Sequence, residues 1–262
     1  MAPSPTFSIS ARGVTDVGRR REQNEDAFLV DSETGLFVVA DGMGGHAGGG
    51  TAFSIAVETI QKSVRAAREV ASPAVAAPSP KDASHYPGVL RLAVEAASRE
   101  IYRAAQEDPS LAGMGTTVTS ALVVGRTAFL AHVGDSRLYL LRGGRIFQLS
   151  EDHSLVNEQL KAGAITESEA RSSRFRNIIT RSVGFEEGVL VDVVGFDVEK
   201  GDVLVLCSDG LSNLVSDSEI LEVASGVQLW EAPERLVALA NERGGDDNIS
   251  VIVVRIDGER KE

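Results

Sequence analysis

The sequence has one cysteine and no apolar run long enough to cross a membrane. The single cysteine, Cys207, excludes an internal disulfide and is typical of a reducing compartment, so we expect a cytoplasmic protein. A membrane-spanning helix needs roughly 18 consecutive apolar residues, and no segment approaches this length. The N-terminal residues MAPSPTFSIS lack the basic region and apolar core of a secretory signal. The sequence therefore predicts no association with a membrane.

Basic residues are also few. The chain has 26 Lys and Arg against 38 Asp and Glu, a formal net charge of −12 at pH 7. Because a protein that binds phosphate backbones normally presents a basic face, we expect no nucleic-acid partner. The acidic balance is compatible with a site that gathers carboxylates around cations, and equally with solubility alone. A chain of 262 residues, 43% of them hydrophobic, can form one large domain or two small ones.

The order of strand-like and helical segments predicts an α+β fold. Predicted strands lie within residues 7–18, 26–32, 35–42, 116–125, 127–136, 137–150, 189–198, 201–210 and 248–256. Predicted helices lie near residues 52–69, 89–106, 217–224 and 229–241, and a polar helical stretch spans 151–173. Thr166 and Glu169 have the spacing of a capping box, and Gly143-Gly144 is typical of a hairpin turn. The proline-rich segment 70–88 is predicted to be an irregular connector inside one domain.

The stretch FVVADGMGGHAGGG (residues 37–50) ends an apolar run with Asp41 and continues with glycines. It could serve a phosphate-bearing cofactor or a metal. Residues 42–47 match the dinucleotide pattern G-x-G-x-x-A, but that pattern needs a second strand within about 30 residues. Here the proline-rich segment follows, and no strand is predicted before Thr116. Asp41 would also repel a pyrophosphate, so the stretch favours a metal ligand.

Other strand ends carry carboxylates too. Asp209 follows the apolar segment VLVLC, Asp247 precedes the segment ISVIVV, and Glu25 and Asp26 begin the segment AFLV. Each residue alone is typical of a turn. If these ends meet, they form a site of oxygen ligands, which Mg²⁺ and Mn²⁺ prefer. Two such ions about 4 Å apart can lower the pKa of a shared water and hold a phosphoryl group.

Seven short motifs lie between about residues 10 and 255: R-x-x-N-E-D (Arg21 to Asp26), V-A-D-G-M-G-G-H (39–46), M-G-T-T (114–117), V-G-D-S-R (133–137), N-x-x-T-R-x-x-G (177–184), S-D-G-L (208–211) and D-D-N-I-S (246–250). Together, and in this order, they resemble the motifs of the metal-dependent protein serine/threonine phosphatases of type 2C, in their compact bacterial form. The resemblance implies one catalytic domain over residues 1–262. Its fold would be a β-sandwich of two antiparallel sheets flanked by helices on both sides, with a mobile flap at about 151–184 beside a metal cleft.

The resemblance also implies the reaction. The family hydrolyses phosphoserine and phosphothreonine on proteins by direct attack of a metal-bridging hydroxide, and so opposes Ser/Thr kinases. The expected cofactors are two Mn²⁺ or Mg²⁺ ions with a weaker third, and the expected partners are phosphorylated proteins, including kinases and their substrates. We expect a monomer, because no exposed repeat or heptad is present.

Two other functions compete with this one. A phosphatase-like binding module would lack a metal ligand, whereas every matching position here is filled. A metal-dependent phosphodiesterase acting on nucleic acid is disfavoured by the acidic balance and by the order of the motifs.

Site residues follow from the resemblance position by position. Asp41 would bridge the two principal ions. Asp209 and Asp247 would complete the first site, and Glu25 and the carbonyl of Gly42 would belong to the second.

Three further residues have implied roles. Asp135 would bind the weaker third ion together with Asp209, and Asp26 would orient metal-bound water. Arg21 would grip the substrate phosphate with its guanidinium fork.

The sequence departs from relatives near Asp41. Eukaryotic relatives have a histidine where this chain has Met43, and that histidine is proposed as their general acid. His46 is the alternative hypothesis for an acid here. The bacterial loop usually continues with a glutamate, where this chain has Gly50, which bears on local packing or on the surroundings of the ligands.

The predicted flap contributes two more expectations. His153 is interpreted as a packing residue at a helix start rather than a substrate contact. A basic cluster is predicted to dock acidic phosphopeptides. Its members are Arg171, Arg174, Arg176 and Arg181.

Overall fold

The computed structural model describes residues 7–44, 48–71 and 82–259. Its strands are β1 (Phe7–Asp16), β2 (Asp26–Asp31), β3 (Leu36–Met43), β4 (Gly115–Thr116), β5 (Val118–Val124), β6 (Thr127–Val133), β7 (Arg137–Arg142), β8 (Arg145–Gln148), β9 (Asp192–Asp197), β10 (Val203–Cys207) and β11 (Ile249–Glu259). Its α-helices are α1 (Gly48–Ala71), α2 (Tyr86–Glu107), α3 (Leu155–Lys161), α4 (Glu167–Ser172), α5 (Asp209–Ser212), α6 (Asp217–Gly226) and α7 (Ala232–Glu242). Short 3-10 helices lie at Asp82–His85 and Pro109–Leu111.

The strands form two sheets. Sheet A has the order β1-β11-β10-β7-β8, and sheet B has the order β2-β3-β5-β6-β9, with β4 beside β3. Neighbouring strands within both sheets are antiparallel. The predicted α+β sandwich of two antiparallel sheets is therefore confirmed.

Strand β3 illustrates why the apolar runs are continuous rather than alternating. Phe37 and Val39 are buried in the core between the two sheets, while Leu36 and Val38 are buried in a second core under helices. Because successive side chains point to opposite faces, a strand covered on both faces is apolar at every position. The same holds for β10. Leu204 is buried in the core between the two sheets, and other side chains of this strand are buried in a core under helices on the opposite face.

Helices cover the outer face of each sheet. Side chains of α1 and α2 pack in the core outside sheet B, and side chains of α6 and α7 pack in the core outside sheet A. The layers are thus helix, sheet, sheet, helix, as predicted. Of the helices in the described parts of the chain, none combines the length and the apolarity needed to cross a bilayer.

Several local predictions are confirmed, and two need correction. The hairpin at Gly143-Gly144 joins β7 to β8, and both glycines have positive φ angles, of 57° and 72°. The capping box of Thr166 and Glu169 is formed. The predicted strand over residues 201–210 ends at Cys207, and Asp209 is the first residue of α5.

The second correction concerns the helix after the glycine-rich stretch. Helix α1 begins at Gly48 rather than near Ala52, and it includes the glycines 48–50. Glycine is a poor helix former, but tertiary packing overrides that preference where no side chain fits. The irregular segment is also shorter than predicted at its end, because α2 begins at Tyr86; residues 72–81 lie outside the described residues.

Residues 151–184, here called the flap segment, contain α3 and α4 and lie between β8 and β9. Its two ends are held together by backbone hydrogen bonds. The amide of Leu155 donates to the carbonyl of Ile178 (2.9 Å), and the amide of Thr180 donates to the carbonyl of His153 (2.8 Å). The segment therefore leaves and re-enters the sandwich at one place, and its mobility stays a prediction.

The packing of α2 on sheet B gives a matched pair of substitutions. Leu90 is fully buried, whereas Leu92 on the same helix is 62% exposed. We expect Leu90→Ala to lower the free energy of unfolding by about 2 to 5 kcal/mol, because it leaves a cavity under the sheet. Leu92→Ala should change it by less than about 0.5 kcal/mol. Urea unfolding of both variants measures the difference, and equal losses would contradict this packing.

Candidate metal centre

One cavity of about 620 Å³ collects the residues singled out from the sequence. Asp41 and Asp209 line it, together with the side chain of Arg21 from the loop before β2. The other predicted ligands on its wall are Glu25, Gly42, Asp135 and Asp247. The cavity thus brings together carboxylates from five separate regions of the chain.

Asp41 is held in place through its backbone. Its amide donates to Thr117 Oγ1 (3.0 Å), and its carbonyl accepts from the Thr117 amide (2.8 Å) and from Thr116 Oγ1 (3.0 Å). These bonds belong to β4 and the start of β5, which lie beside the end of β3. The threonines of the M-G-T-T motif therefore fix the backbone of Asp41 and leave its carboxylate free of that task.

The glycines beside Asp41 allow close approach of three backbone segments. The Gly42 amide donates to the Glu25 carbonyl (3.1 Å), and a Cβ on Gly42 would lie only 2.6 Å from the carbonyl oxygen of Gly49. A Cβ on Gly49 would in turn lie 3.0 Å from Glu25 Oε2. Side chains at either position would push α1 away from Glu25. This is the structural reason for the glycines at positions 42 and 49.

Asn248 positions Glu25 from the other side. Its Oδ1 accepts from the Glu25 amide (2.8 Å), and its Nδ2 donates to the carbonyls of Val17 and Gln23 (2.9 Å each). A single buried amide thereby ties the loop before β2 to the start of β11. The sequence by itself predicted no role for Asn248, although this residue belongs to the D-D-N-I-S motif.

Two serines surround Asp26, which lies behind the cavity rather than on its wall. Asp26 pairs with Asp41 across β2 and β3. Ser208 Oγ donates to Asp26 Oδ2 (2.6 Å) and accepts from the Ser250 amide (2.9 Å). Ser208 and Ser250 are the serines of the S-D-G-L and D-D-N-I-S motifs, so these motifs also support a neighbouring carboxylate.

Asp209 and Asp26 each have one carboxylate oxygen without a partner. Asn213 Nδ2 donates to Asp209 Oδ2 (3.0 Å). Asp209 Oδ1 and Asp26 Oδ1 are buried and have no hydrogen-bond partner among the described residues. A buried, unpaired carboxylate oxygen is costly unless another group compensates it.

Both carboxylate oxygens of Asp247 accept hydrogen bonds from the protein. Arg21 Nη2 donates to Asp247 Oδ2 (2.7 Å), and the Asn248 amide donates to Asp247 Oδ1 (2.8 Å). The Arg21 side chain is 52% exposed, so its remaining nitrogens face solvent at the mouth of the cavity. The arginine predicted to grip phosphate is thereby anchored to a predicted metal ligand.

Asp135 lies on a turn whose flanking residues pack against Thr117. Gly134 has a φ of +113°, and a Cβ there would lie 2.5 Å from Thr117 Cγ2. Ser136 Oγ is 2.9 Å from Thr117 Oγ1. The turn that carries Asp135 therefore packs on the same threonine that fixes Asp41.

Burial and mutual repulsion raise the pKa values of these carboxyls. Loss of hydration is the largest cause in each case. It raises the pKa of Asp26 to about 7, of Asp135 to about 8 and of Asp209 to about 6. The pKa of Asp41 is raised well above its usual range by burial and then by the charges of Asp26, Asp209, Asp135 and Asp247. The negative charge of each carboxylate disfavours ionisation of its neighbours, so the cavity favours a compensating positive charge.

The donor set fits hard divalent cations. Carboxylate and carbonyl oxygens line the cavity, and no cysteine or histidine lies among its lining residues in the described chain. In these ranges, no three His, Cys, Asp or Glu side chains already stand in closed metal-binding geometry. The carboxylates share one wall without converging on a point in the described residues. The oxygen donors of this wall, with the unpaired Oδ1 of Asp209, fit Mg²⁺ or Mn²⁺.

The remaining sequence expectations fall into three groups. His46 lies outside the described residues, while Met43 lines the cavity. A Cβ on Gly50 would meet nothing within 4 Å, so packing does not require the glycine there. His153 is more than a packing residue at a helix start, because its ring nitrogens lie within hydrogen-bonding distance of Gly134, Asp192 and Arg181.

The basic cluster of the flap segment does not act as one free patch. Arg181 Nη1 donates to Asp192 Oδ1 (2.8 Å), and Arg176 lies 3.9 Å from Asp246. The Arg174 guanidinium stacks on the ring of Phe175 (4.6 Å to its centre). Docking of acidic peptides by this cluster stays a prediction, and Arg176 lines an adjoining cavity together with Arg21.

Comparisons with known proteins agree with the fold and show the family. A sequence profile described as Protein phosphatase 2C matches residues 17–247. Protein phosphatase PhpP of Streptococcus pneumoniae is 37% identical over 261 residues, which cover 95% of this chain and 98% of PhpP.

Solved structures extend this similarity to three dimensions. The serine/threonine phosphatase PstP/Ppp of Mycobacterium tuberculosis superposes with a TM-score of 0.85 at 33% identity, covering 95% of this chain and 99% of that one. A catalytic domain of serine/threonine phosphatase PstP solved with two manganese ions superposes with a TM-score of 0.82 at 32% identity, covering 96% and 100%. The chain therefore belongs to the protein phosphatase 2C family, the metal-dependent phosphatases that act on phosphoserine and phosphothreonine in proteins.

Proposed function

We propose that the cavity beside Asp41 is the catalytic centre of this phosphatase. Asp41 would hold two divalent ions, one of them together with Asp209 and Asp247 and the other together with Glu25 and the Gly42 carbonyl. The observation that carries this proposal is that all of these residues, contributed by distant parts of the chain, line one cavity. Asp135, on the same wall, would hold a weaker third ion together with Asp209.

We infer that residues 1–262 form one catalytic domain. Strand β1 near the start of the chain pairs along its length with β11 near the end. Strands from both halves also contribute to the core between the sheets. The connector at 70–88 and the flap segment are then insertions in one unit, and the flap segment borders the site with Asn177 and Ile179.

Arg21 binds the substrate phosphate in this proposal. A guanidinium presents several N–H groups in a plane, and only Nη2 is used by Asp247. The bond to Asp247 holds the fork at the cavity mouth, where its other N–H groups can donate to phosphoryl oxygens. Direct hydrolysis then needs the phosphorus to lie between Arg21 and Asp41.

Two divalent ions, when bound, polarise the phosphoryl oxygens and lower the pKa of a nearby water. The chain's contribution beside them is to orient that water. Asp26 is buried next to Asp41, with Oδ2 fixed by Ser208 and Oδ1 unpaired. Oδ1 is thus the atom of Asp26 that is left to accept a hydrogen bond from the water. Direct hydrolysis by water would require no phosphorylated enzyme.

We infer that the phosphorylated partners include Ser/Thr kinases and the substrates of those kinases, and that nucleic acid is not a substrate. A net charge of −12 and the carboxylates on the cavity wall support this choice. We also infer a monomer, because the sequence has no exposed repeat or heptad. A cytoplasmic location is supported by the single cysteine, which is buried.

The ligand role of Asp209 can be tested against a neighbouring carboxylate. We expect Asp209→Asn to reduce phosphate release from a phosphothreonine peptide in Mn²⁺ by more than about 100-fold, beyond the usual effect of residues that only support ligands. EDTA should abolish the wild-type activity.

The matched control is Asp246→Asn, since Asp246 is 52% exposed and lies 4.0 Å from Arg20. It should keep most of the activity. A folded Asp209→Asn enzyme with normal turnover would refute the proposed ligand set. A folded, Mn²⁺-loaded wild type without turnover would favour the binding-module alternative.

The phosphate-binding role of Arg21 predicts an effect on KM. We expect Arg21→Ala to raise the KM for the phosphopeptide about 10-fold to 100-fold, the equivalent of one charge-assisted hydrogen bond. Arg21→Lys should recover only part of this, because the fork is lost. Arg145→Ala, an exposed arginine on β8, serves as the control and should leave KM unchanged. An unchanged KM in Arg21→Ala would remove Arg21 from the phosphate site.

The raised carboxyl pKa values predict how stability depends on pH. An ordinary aspartate titrates near pKa 3.9, about as in an unfolded chain. In the folded protein burial raises the pKa of Asp26 to about 7 and of Asp135 to about 8. The metal-free folded state therefore holds more protons than the unfolded state between these pKa values, so its stability falls as pH rises from about 5 to 8.

Thermal melting in EDTA across this window measures the effect. Asp135→Asn should give a shallower decline. Added Mn²⁺ should raise the melting temperature more at pH 8.5 than at pH 6.5, because ligands must lose protons to bind it. A metal-free melting temperature that rises over the same window would contradict the assignment.

A further inference from the structure

His153 stands at the junction between the flap segment and the turn that carries Asp135. It is 5% exposed, and its backbone amide donates to the Gly134 carbonyl (2.8 Å). The Gly134 amide in turn donates to His153 Nδ1 (3.0 Å). One histidine thus contacts both polar backbone groups of the residue that precedes Asp135.

The other side of the imidazole faces the far end of the flap segment. His153 Nε2 lies 3.2 Å from Asp192 Oδ2 at the start of β9. Arg181 Nη1 donates to Asp192 Oδ1 (2.8 Å) and lies 3.0 Å from His153 Nε2. The His153 carbonyl accepts from the Thr180 amide (2.8 Å). Asp192 therefore joins the histidine to the arginine that follows Thr180.

The contacts select one tautomer. Because the Gly134 amide donates to Nδ1, that nitrogen carries no hydrogen, and the hydrogen resides on Nε2. Nε2–H then donates to Asp192, and the contact with Arg181 is not a hydrogen bond. The opposite tautomer would satisfy only Arg181 and would set two hydrogens against each other at Gly134. The ring thus has two distinct contacts, one through each nitrogen.

We propose that His153 is a positioning residue with two separable tasks. Through Nδ1 it fixes the Gly134 backbone and hence the direction of Asp135. Through Nε2 and Asp192 it fixes the end of the flap segment at Thr180 and Arg181. The first task rests on the proposed function, in which Asp135 binds the third ion, and the second rests on the fold alone.

Two amide substitutions separate these tasks. The Oδ1 of an asparagine occupies nearly the place of Nδ1, so His153→Asn keeps an acceptor for Gly134 and loses the contact with Asp192. The Nε2 of a glutamine occupies nearly the place of the ring Nε2, so His153→Gln keeps a donor for Asp192 and loses the acceptor for Gly134. Asp192→Ala removes the second contact from the other partner, whose side chain is 40% exposed.

The first readout is amide hydrogen exchange followed by NMR in EDTA, without substrate. In His153→Gln the Gly134 amide should exchange faster than in wild type, while the Thr180–Gly184 amides stay as protected as before. In His153→Asn and Asp192→Ala the pattern should be reversed. This readout is independent of catalysis, so it tests His153 even if the proposed ligand set fails.

The second readout is Mn²⁺ binding by calorimetry, with Asp135→Asn as the reference for loss of the weakest ion. His153→Gln should weaken that ion about tenfold, the usual effect of losing support behind a ligand. His153→Asn should bind it as wild type does. His85→Asn, at an exposed histidine before α2, should change neither readout.

Several results would overturn the proposal. One is equal loss of protection at Gly134 and at Thr180 in both His153 variants, which would indicate a purely structural residue. Another is wild-type exchange in both. If the histidine variants fail to fold, Asp192→Ala decides alone: unchanged exchange at Thr180–Gly184 in that variant would refute the second task and with it the proposal.

Discussion

Repulsion between buried carboxylates is the constraint on which this structure depends. Burial of Asp26, Asp41, Asp135 and Asp209 removes water from their charged forms and raises their pKa values, and the charges of neighbouring carboxylates raise them further. A fold that gathers these groups around one cavity must hold them there by other forces. The two helix-covered sheets supply those forces, since the strands that end at the cavity are anchored by three apolar cores.

Close backbone contacts and hydroxyl groups transmit that rigidity to the site. The threonines at 116 and 117 bind both polar backbone groups of Asp41, and Asn248 binds the Glu25 amide. Ser208 joins Asp26 to β11. These side chains position the carboxylates without adding a positive charge, so the carboxylates remain available to bind divalent ions. Catalysis by such ions requires ligands whose positions are set before the substrate arrives.

Much of the fold could be predicted because its strands are apolar on both faces and its turns carry glycine pairs such as Gly143-Gly144. Helix α1 was harder. Its glycines argue locally against a helix, and only the approach of Gly49 to Glu25, distant in sequence, explains them. The position of Asp209 at the start of α5 was also hard to predict, because a four-residue helix is too short to show a periodic pattern.

By itself, the sequence determined which carboxylates exist, which strands they flank and which family order they follow. Those properties depend on short segments and on their order along the chain. Only the tertiary structure decided that Arg21 is bound to Asp247, that Asp26 lies behind the cavity wall, and that His153 joins the flap segment to Gly134. Each of these contacts joins residues that are separated along the chain, and their geometry follows from how the two sheets pack rather than from any local pattern.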